Sequence, residues 1–125
     1  MGITLFTKGQ EIDYVPQYGG NRDSCDPAIV RLRYVPYETV LAYGRQIAAR
    51  TKVLRDQTKV IEVTHEIQKK EFLENVVSVS GFSAGGAEIT TAGDLWDHAP
   101  TELINELILA MEDATKLSEG QRKNS

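Results

Sequence analysis

The segment that opens at Pro100 constrains this chain more than any other. Leu103, Ile104, Leu107, Ile108, Met111, Ala114 and Leu117 recur at helical spacing, so a helix over Pro100–Leu117 presents a broad apolar face. Proline suits the first turn, where its missing N–H costs nothing, and Glu102 and Glu106 suit the positive end of the helix dipole. Such a face is stable only against a second layer, which the preceding residues must supply.

Several segments qualify. Residues 29–35 alternate Val30, Leu32 and Tyr34 against Arg31 and Arg33, the period of a half-buried strand that Pro36 ends. From Pro36 to about Lys52, Val40, Tyr43, Ile47 and Ala48 predict a helix, which Gly44 weakens by about 1 kcal/mol relative to alanine. A second helix is predicted from Gln57 to Val77 on Val60, Val63, Ile67, Phe72, Leu73, Val76 and Val77. Its stripe is imperfect, because the step from Ile67 to Phe72 forces the buried face to shift. Glu66 and Lys70 are spaced to pair on its exposed side. Residues 79–89, interrupted by Gly81, Gly85 and Gly86, read as a small hairpin or ordered loop. Thr91, three residues before Asp94, reads as the N-cap of a short helix through Leu95 and Trp96.

The expectation is an α+β fold: a helix-rich single domain with a small antiparallel sheet or hairpin and an extended N-terminal arm. Residues 1–28, punctuated by Pro16, Gly19, Gly20, Asn21, Asp23, Asp26 and Pro27, form the arm, within which Ile3–Phe6 is apolar enough for an edge strand. Residues 29–117 form the globular part, and residues 118–125, without an apolar side chain, form a polar tail. A length of 125 residues suits one such domain.

Charge is unevenly distributed: residues 1–30 carry −2, residues 31–59 carry +5 and residues 60–125 carry −7. A nucleic-acid binder concentrates many more positive charges, so the basic middle reads as a complement to the acidic remainder, within one molecule or between copies. The apolar runs are too short to cross a membrane. Cys25 has no partner for an internal disulfide and the N-terminus lacks the pattern of a leader, so the cytoplasm is the expected compartment.

Catalytic and metal chemistry find little support. His65 lies mid-helix without a nucleophile beside it, and His98 flanks a helix end. Asp94, Asp97 and His98 match no metal-ligand spacing, and the glycines around Ser83 form no phosphate-binding motif. Cys25 has only Arg22 to stabilise a thiolate, and Glu112 with Asp113 read as a solvated face. The expectation is a non-enzyme with no cofactor and no metal. The candidate protein-interaction residues are Tyr14, Tyr18, Tyr37 and Trp96, large anchors of low entropy cost, with Leu103, Leu107 and Met111 on the apolar helix.

Lys70-Glu71-Phe72-Leu73-Glu74-Asn75-Val76 reads as a helix end, and Glu88-Ile89-Thr90-Thr91 leads into Asp94-Leu95. With Pro100-Thr101-Glu102-Leu103-Ile104-Asn105-Glu106-Leu107-Ile108 and Leu117-Ser118-Glu119-Gly120-Gln121-Arg122-Lys123-Asn124, they make a pattern that resembles the small phage proteins of the tail assembly chaperone type. The resemblance implies a non-catalytic protein of the host cytoplasm that binds the phage tape-measure protein, keeps its apolar helices from aggregating and recruits tail-tube subunits. Self-association through opposite charge, with residues 31–59 of one copy meeting the acidic C-terminal half of another, fits the same role.

Two other classes fit the residues. One is a structural virion component, a head decoration, connector or tail subunit whose arm lays Tyr14, Val15 and Tyr18 across a neighbour. The other is a regulatory nucleic-acid-binding module using Arg31, Arg33, Arg45, Arg50, Lys52 and Arg55. The resemblance also implies a second, longer product made by −1 frameshifting, with Arg122-Lys123-Asn124 as the slip site. The gene is then expected to read an arginine codon ending in A, followed by AAA and AAC or AAT. Codons that cannot form that heptamer exclude the longer product.

Overall fold

Three antiparallel strands pair in the order β1 (Glu11–Tyr14), β2 (Ile29–Arg33), β3 (Val76–Ser80). The computed structural model describes residues 2–122. The alternation of β2 is realised as read: Val30 and Leu32 are fully buried, while Arg31 and Arg33 point to the other face. On that face Arg31 lies 2.8 Å from Glu11 and 2.9 Å from Asp13, and Arg33 lies 3.7 Å from Glu11. Part of the complementarity between basic middle and acidic flank is thus met between neighbouring strands. These pairs are exposed, so each contributes little.

The N-terminal arm is not simply an extended appendage. Ile12 pairs with Leu32 and Tyr14 with Val30, and both side chains are buried, so residues 11–14 are an integral strand. Proline and glycine density in residues 16–27 hid this. Those residues form a 3-10 turn, Tyr18–Asp23, closed by Asn21, whose side chain donates to the Pro16 and Ala28 carbonyls and accepts from the Ala28 N–H. Only the first residues behave as an arm: Ile3–Phe6 forms no strand, Ile3 and Leu5 are 90% and 76% exposed, and Phe6 rests against the Tyr34 ring.

The described residues also form five α-helices: α1 (Tyr37–Thr51), α2 (Gln57–Asn75), α3 (Ala92–His98), α4 (Thr101–Glu112) and α5 (Ala114–Glu119). Pro36 and Pro100 sit at the entries of α1 and α4, the Asp56 carboxylate caps α2, and Thr91 Oγ1 accepts from the Asp94 N–H as expected. Helix α2 ends at Asn75, not Val77, because Val76 is drawn into the sheet opposite Leu32. A bulge at this point skips Val77 and leaves it exposed. The Pro100–Leu117 helix is broken at Asp113, whose carboxylate accepts from the Thr115 and Lys116 N–H groups and starts α5 afresh. Strands β4 (Phe82–Ala84) and β5 (Ala87–Ile89) form the anticipated hairpin, with Gly85 and Gly86 at φ +59° and +82° supplying a turn that side-chain-bearing residues resist.

The chain is therefore an α+β domain, helix-rich with a small sheet and a hairpin. Its core joins Tyr14, Val30, Leu32 and Val35 to Phe72, Leu95, Leu107, Met111 and Leu117. Between Tyr43 and Ile67, by contrast, no residue is buried, so the distal half of the α1–α2 hairpin lacks a third layer. No helix among the described residues is long and apolar enough to cross a membrane.

The polar tail begins later than expected. Gly120 is buried, its carbonyl accepts from the Val15 N–H, and the Arg122 N–H donates to the Asp13 carbonyl, so residues 120–122 line the outer edge of β1. Lys123, Asn124 and Ser125, on which the rest of the tail and the frameshift expectation fall, lie outside the described residues. A Cβ at Gly120 would overlap the Tyr14 ring and crowd the Arg22 guanidinium. Gly120→Ala is accordingly expected to destabilise the fold by about 2 kcal/mol or more, read from urea unfolding. Wild-type stability in that variant would refute the docking of residues 120–122 on β1.

Candidate functional site

The structure separates the expected interaction residues. Tyr14, Leu107 and Met111 are fully buried and Leu103 nearly so, because the apolar stripe of α4 faces the chain's own core and α2. They are core residues, so of the expected interaction residues only Tyr18, Tyr37 and part of Trp96 are accessible to a partner. Trp96 is half-buried, its ring 5.2 Å from that of Phe72. Tyr18 is 38% exposed and lines a shallow cleft with Gln17, Glu102, Asn105, Glu106, Leu109 and Lys116, while Tyr37 stands 74% exposed at the first turn of α1.

Tyr14 has a structural task. Its hydroxyl donates to Glu106 Oε2 at 2.6 Å, and Arg22 Nη2 donates to it at 3.2 Å. Glu106 also accepts from the Gln17 and Tyr18 N–H groups at 2.7 and 2.9 Å. Burial first, then the bond to Glu106, holds the Tyr14 phenol well above its ordinary range. Arg22 is thereby engaged with Tyr14 and the Val15 carbonyl, while Cys25 stands exposed. His65 is exposed, and His98 Nδ1 bonds the Asp94 carbonyl within its own helix at 2.9 Å. Among the described residues no group of His, Cys, Asp or Glu is placed to hold a metal ion. The basic set is divided as well: Arg31 and Arg33 face Glu11 and Asp13, and Arg50 reaches Glu66 at 2.6 Å, displacing the expected Glu66–Lys70 pair. Lys70 turns to Gln46 and Glu74.

A groove lies between α1, α2 and the outer face of α4. Val40, Tyr43, Gly44 and Ile47 form one wall, Gln68 and Glu71 the second, and Asn105, Ile108, Leu109 and Glu112 the third, around a cavity of about 420 Å³. Ile108 and Leu109 belong to α4 but lie off its core stripe, and Leu109 is 54% exposed. A polar network sits beside these apolar walls. The Tyr43 hydroxyl donates to Glu74 Oε2 at 2.7 Å, and Asn75 Nδ2 donates to the Tyr43 hydroxyl and the Glu71 carbonyl. Burial and the bond to Glu74 push the Tyr43 phenol up to about 12.

No family model, curated protein or solved structure matches this chain. The groove is therefore read from its own chemistry.

Glu71 is its unusual member, a carboxyl only 4% exposed whose Oε2 has no hydrogen-bond partner. Burial is the largest influence on it, followed by the neighbouring Glu112 carboxyl and then the charge of Glu74, and together they push it up to about 9. Glu71 is therefore neutral at physiological pH. The imperfect stripe of α2 carried the signal for this residue: the step from Ile67 to Phe72 leaves the i+4 position, where an apolar side chain belongs, to Glu71. Glu112, read as part of a solvated pair, instead faces Glu71, while Asp113 caps α5.

An unfolded chain releases the Glu71 proton near pH 4.5, whereas the folded chain keeps it to about pH 9. The stability due to the retained proton is complete below the first value and falls as pH rises toward the second, by on the order of 1.4 kcal/mol per pH unit. Wild-type stability should decline from about pH 6 to about pH 8 relative to Glu71→Gln, whose amide does not titrate. Parallel curves for the two proteins in urea titrations would contradict the buried neutral carboxyl.

Proposed function

We propose that this chain is a protein-binding assembly factor that holds an apolar helix of a partner in the groove beside α4. The observation that carries this reading is the double use of α4. One stripe, Leu103, Leu107 and Met111, fills the core, while Ile108 and Leu109 present a second apolar strip to a groove that no described residue fills. Three helices offering an apolar trough with polar edges are the kind of surface that accepts an amphipathic helix. The distal α1–α2 hairpin, which has no third layer, extends the area available to a partner.

The resemblance of residues 36–124 supplies the proposed identity of that partner. On this reading the chain is a phage tail assembly chaperone working in the host cytoplasm, its client is the tape-measure protein, and tail-tube subunits are recruited to the complex. A helix held in the groove is kept from aggregating without any covalent chemistry.

One observation favours a second reading, a structural virion component. Ile3 and Leu5 stand exposed along a cleft beside α5, just before Phe6 anchors on Tyr34, and leave apolar side chains free for a neighbour. A virion component is retained in purified particles, whereas a chaperone is absent from them.

Leu109→Asp adds a charge at an exposed position, so folding should be retained while co-purification with the co-expressed tape-measure protein is lost. Retention of the client by folded Leu109→Asp would remove the groove from the docking surface. A Leu107→Asp companion should fail to fold, since it places an unpaired charge in the core.

A further inference from the structure

Native proteins rarely leave a buried carboxyl oxygen without a partner, and those that persist call for an explanation. Glu71 Oε2 is such an atom, on a side chain 4% exposed that lines the groove. Three ionisable groups surround it: Tyr43 from α1, Glu74 from its own helix and Glu112 from α4. None of these is a cation. The ion pairs among the described residues join Arg31, Arg33, Arg50 and Lys70 to other carboxylates, and none reaches Glu71 or Glu112. Two carboxyls brought together from α2 and α4 have no positive charge to pair with, and only the proton on Glu71 offsets their repulsion.

The surroundings define that donor. Val40, Ile47, Ile108 and Leu109 supply apolar walls leading to the carboxyl pair, which suits a side chain with a methylene stem and a cationic head. A metal ion is a poorer match, because calcium takes roughly six to eight oxygens and two carboxyls fall well short. A guanidinium, with its planar fork of donors, can bond both carboxyls at once.

We propose that the groove is a receptor for one basic side chain, an arginine in the best-fitting case, carried on the apolar helix of a partner protein, with Glu71 and Glu112 as its acceptors. This rests on the reading of the groove as a helix-docking surface and adds the feature that selects among helices. Entry of the cation expels the Glu71 proton to solvent as the guanidinium takes its place. Binding is therefore coupled to proton release and strengthens as pH rises toward the range in which Glu71 ionises, by at most about tenfold per pH unit.

The test uses the full chain and two acetylated, amidated helical peptides of alanine and leucine, one with a central arginine and one with citrulline in its place. Fluorescence anisotropy should show the arginine peptide binding about tenfold to a hundredfold more tightly than the citrulline peptide, with the gap widening from pH 6 to pH 8. In Glu71→Gln/Glu112→Gln, checked for folding by circular dichroism, the ratio of arginine-peptide to citrulline-peptide affinity should fall to about one and lose its dependence on pH. Equal binding of both peptides by the wild type would overturn the receptor while leaving the helix-docking groove intact. Absence of binding by either peptide would overturn both. Saturable calcium binding lost in the double variant would assign the carboxyl pair to a metal and overturn the proposal. So would wild-type self-association that the double variant abolishes, since the occupant would then be a second copy.

Discussion

The fold depends on satisfying one buried hydroxyl. Tyr14 is at the end of β1 with no exposed surface, and a phenol so placed needs a hydrogen-bond partner. Glu106 provides it from α4, and the same carboxylate gathers the Gln17 and Tyr18 N–H groups, so one side chain ties strand, turn and helix together. Arg22 closes the cluster from the 3-10 turn, and Gly120 lets residues 120–122 pass directly over the ring to cover the edge of β1. That cover removes an unpaired strand edge, a common point of unwanted association.

With α4 held by Glu106 on one side and by Leu103, Leu107 and Met111 against the core, its orientation about its own axis is set. Ile108, Leu109 and Glu112 are consequently turned toward α1 and α2, and the groove is a by-product of that rotation. Its carboxyl pair carries a cost in stability that an apolar residue at position 71 would avoid. Sites that work against stability in this way concentrate where a protein binds something, which is why the proposed docking is placed at the groove and not at the exposed tyrosines. The exposed ion pairs of the sheet and the α1–α2 hairpin shape the surface, yet each contributes little to folding.

Much of the local structure was legible in the residues themselves. The alternation of β2, the bounds of α1, the Thr91 cap, the glycine turn of the β4–β5 hairpin and the core stripe of α4 follow from periodicity and turn chemistry, which act over a few residues. The α+β class followed from their combination. The tertiary structure decided what depends on distant partners. Residues 11–14 are a strand only because β2 offers them an edge, Val76 leaves α2 because Leu32 needs a neighbour, and residues 120–122 are ordered by β1. The role of Glu71 belongs to the same group. Its place in the stripe of α2 was visible as an irregularity, but its burial in the tertiary structure, and then the approach of Glu112 from α4, far along the chain, turned that irregularity into a neutral carboxyl, because desolvation and charge proximity are properties of space and not of sequence distance.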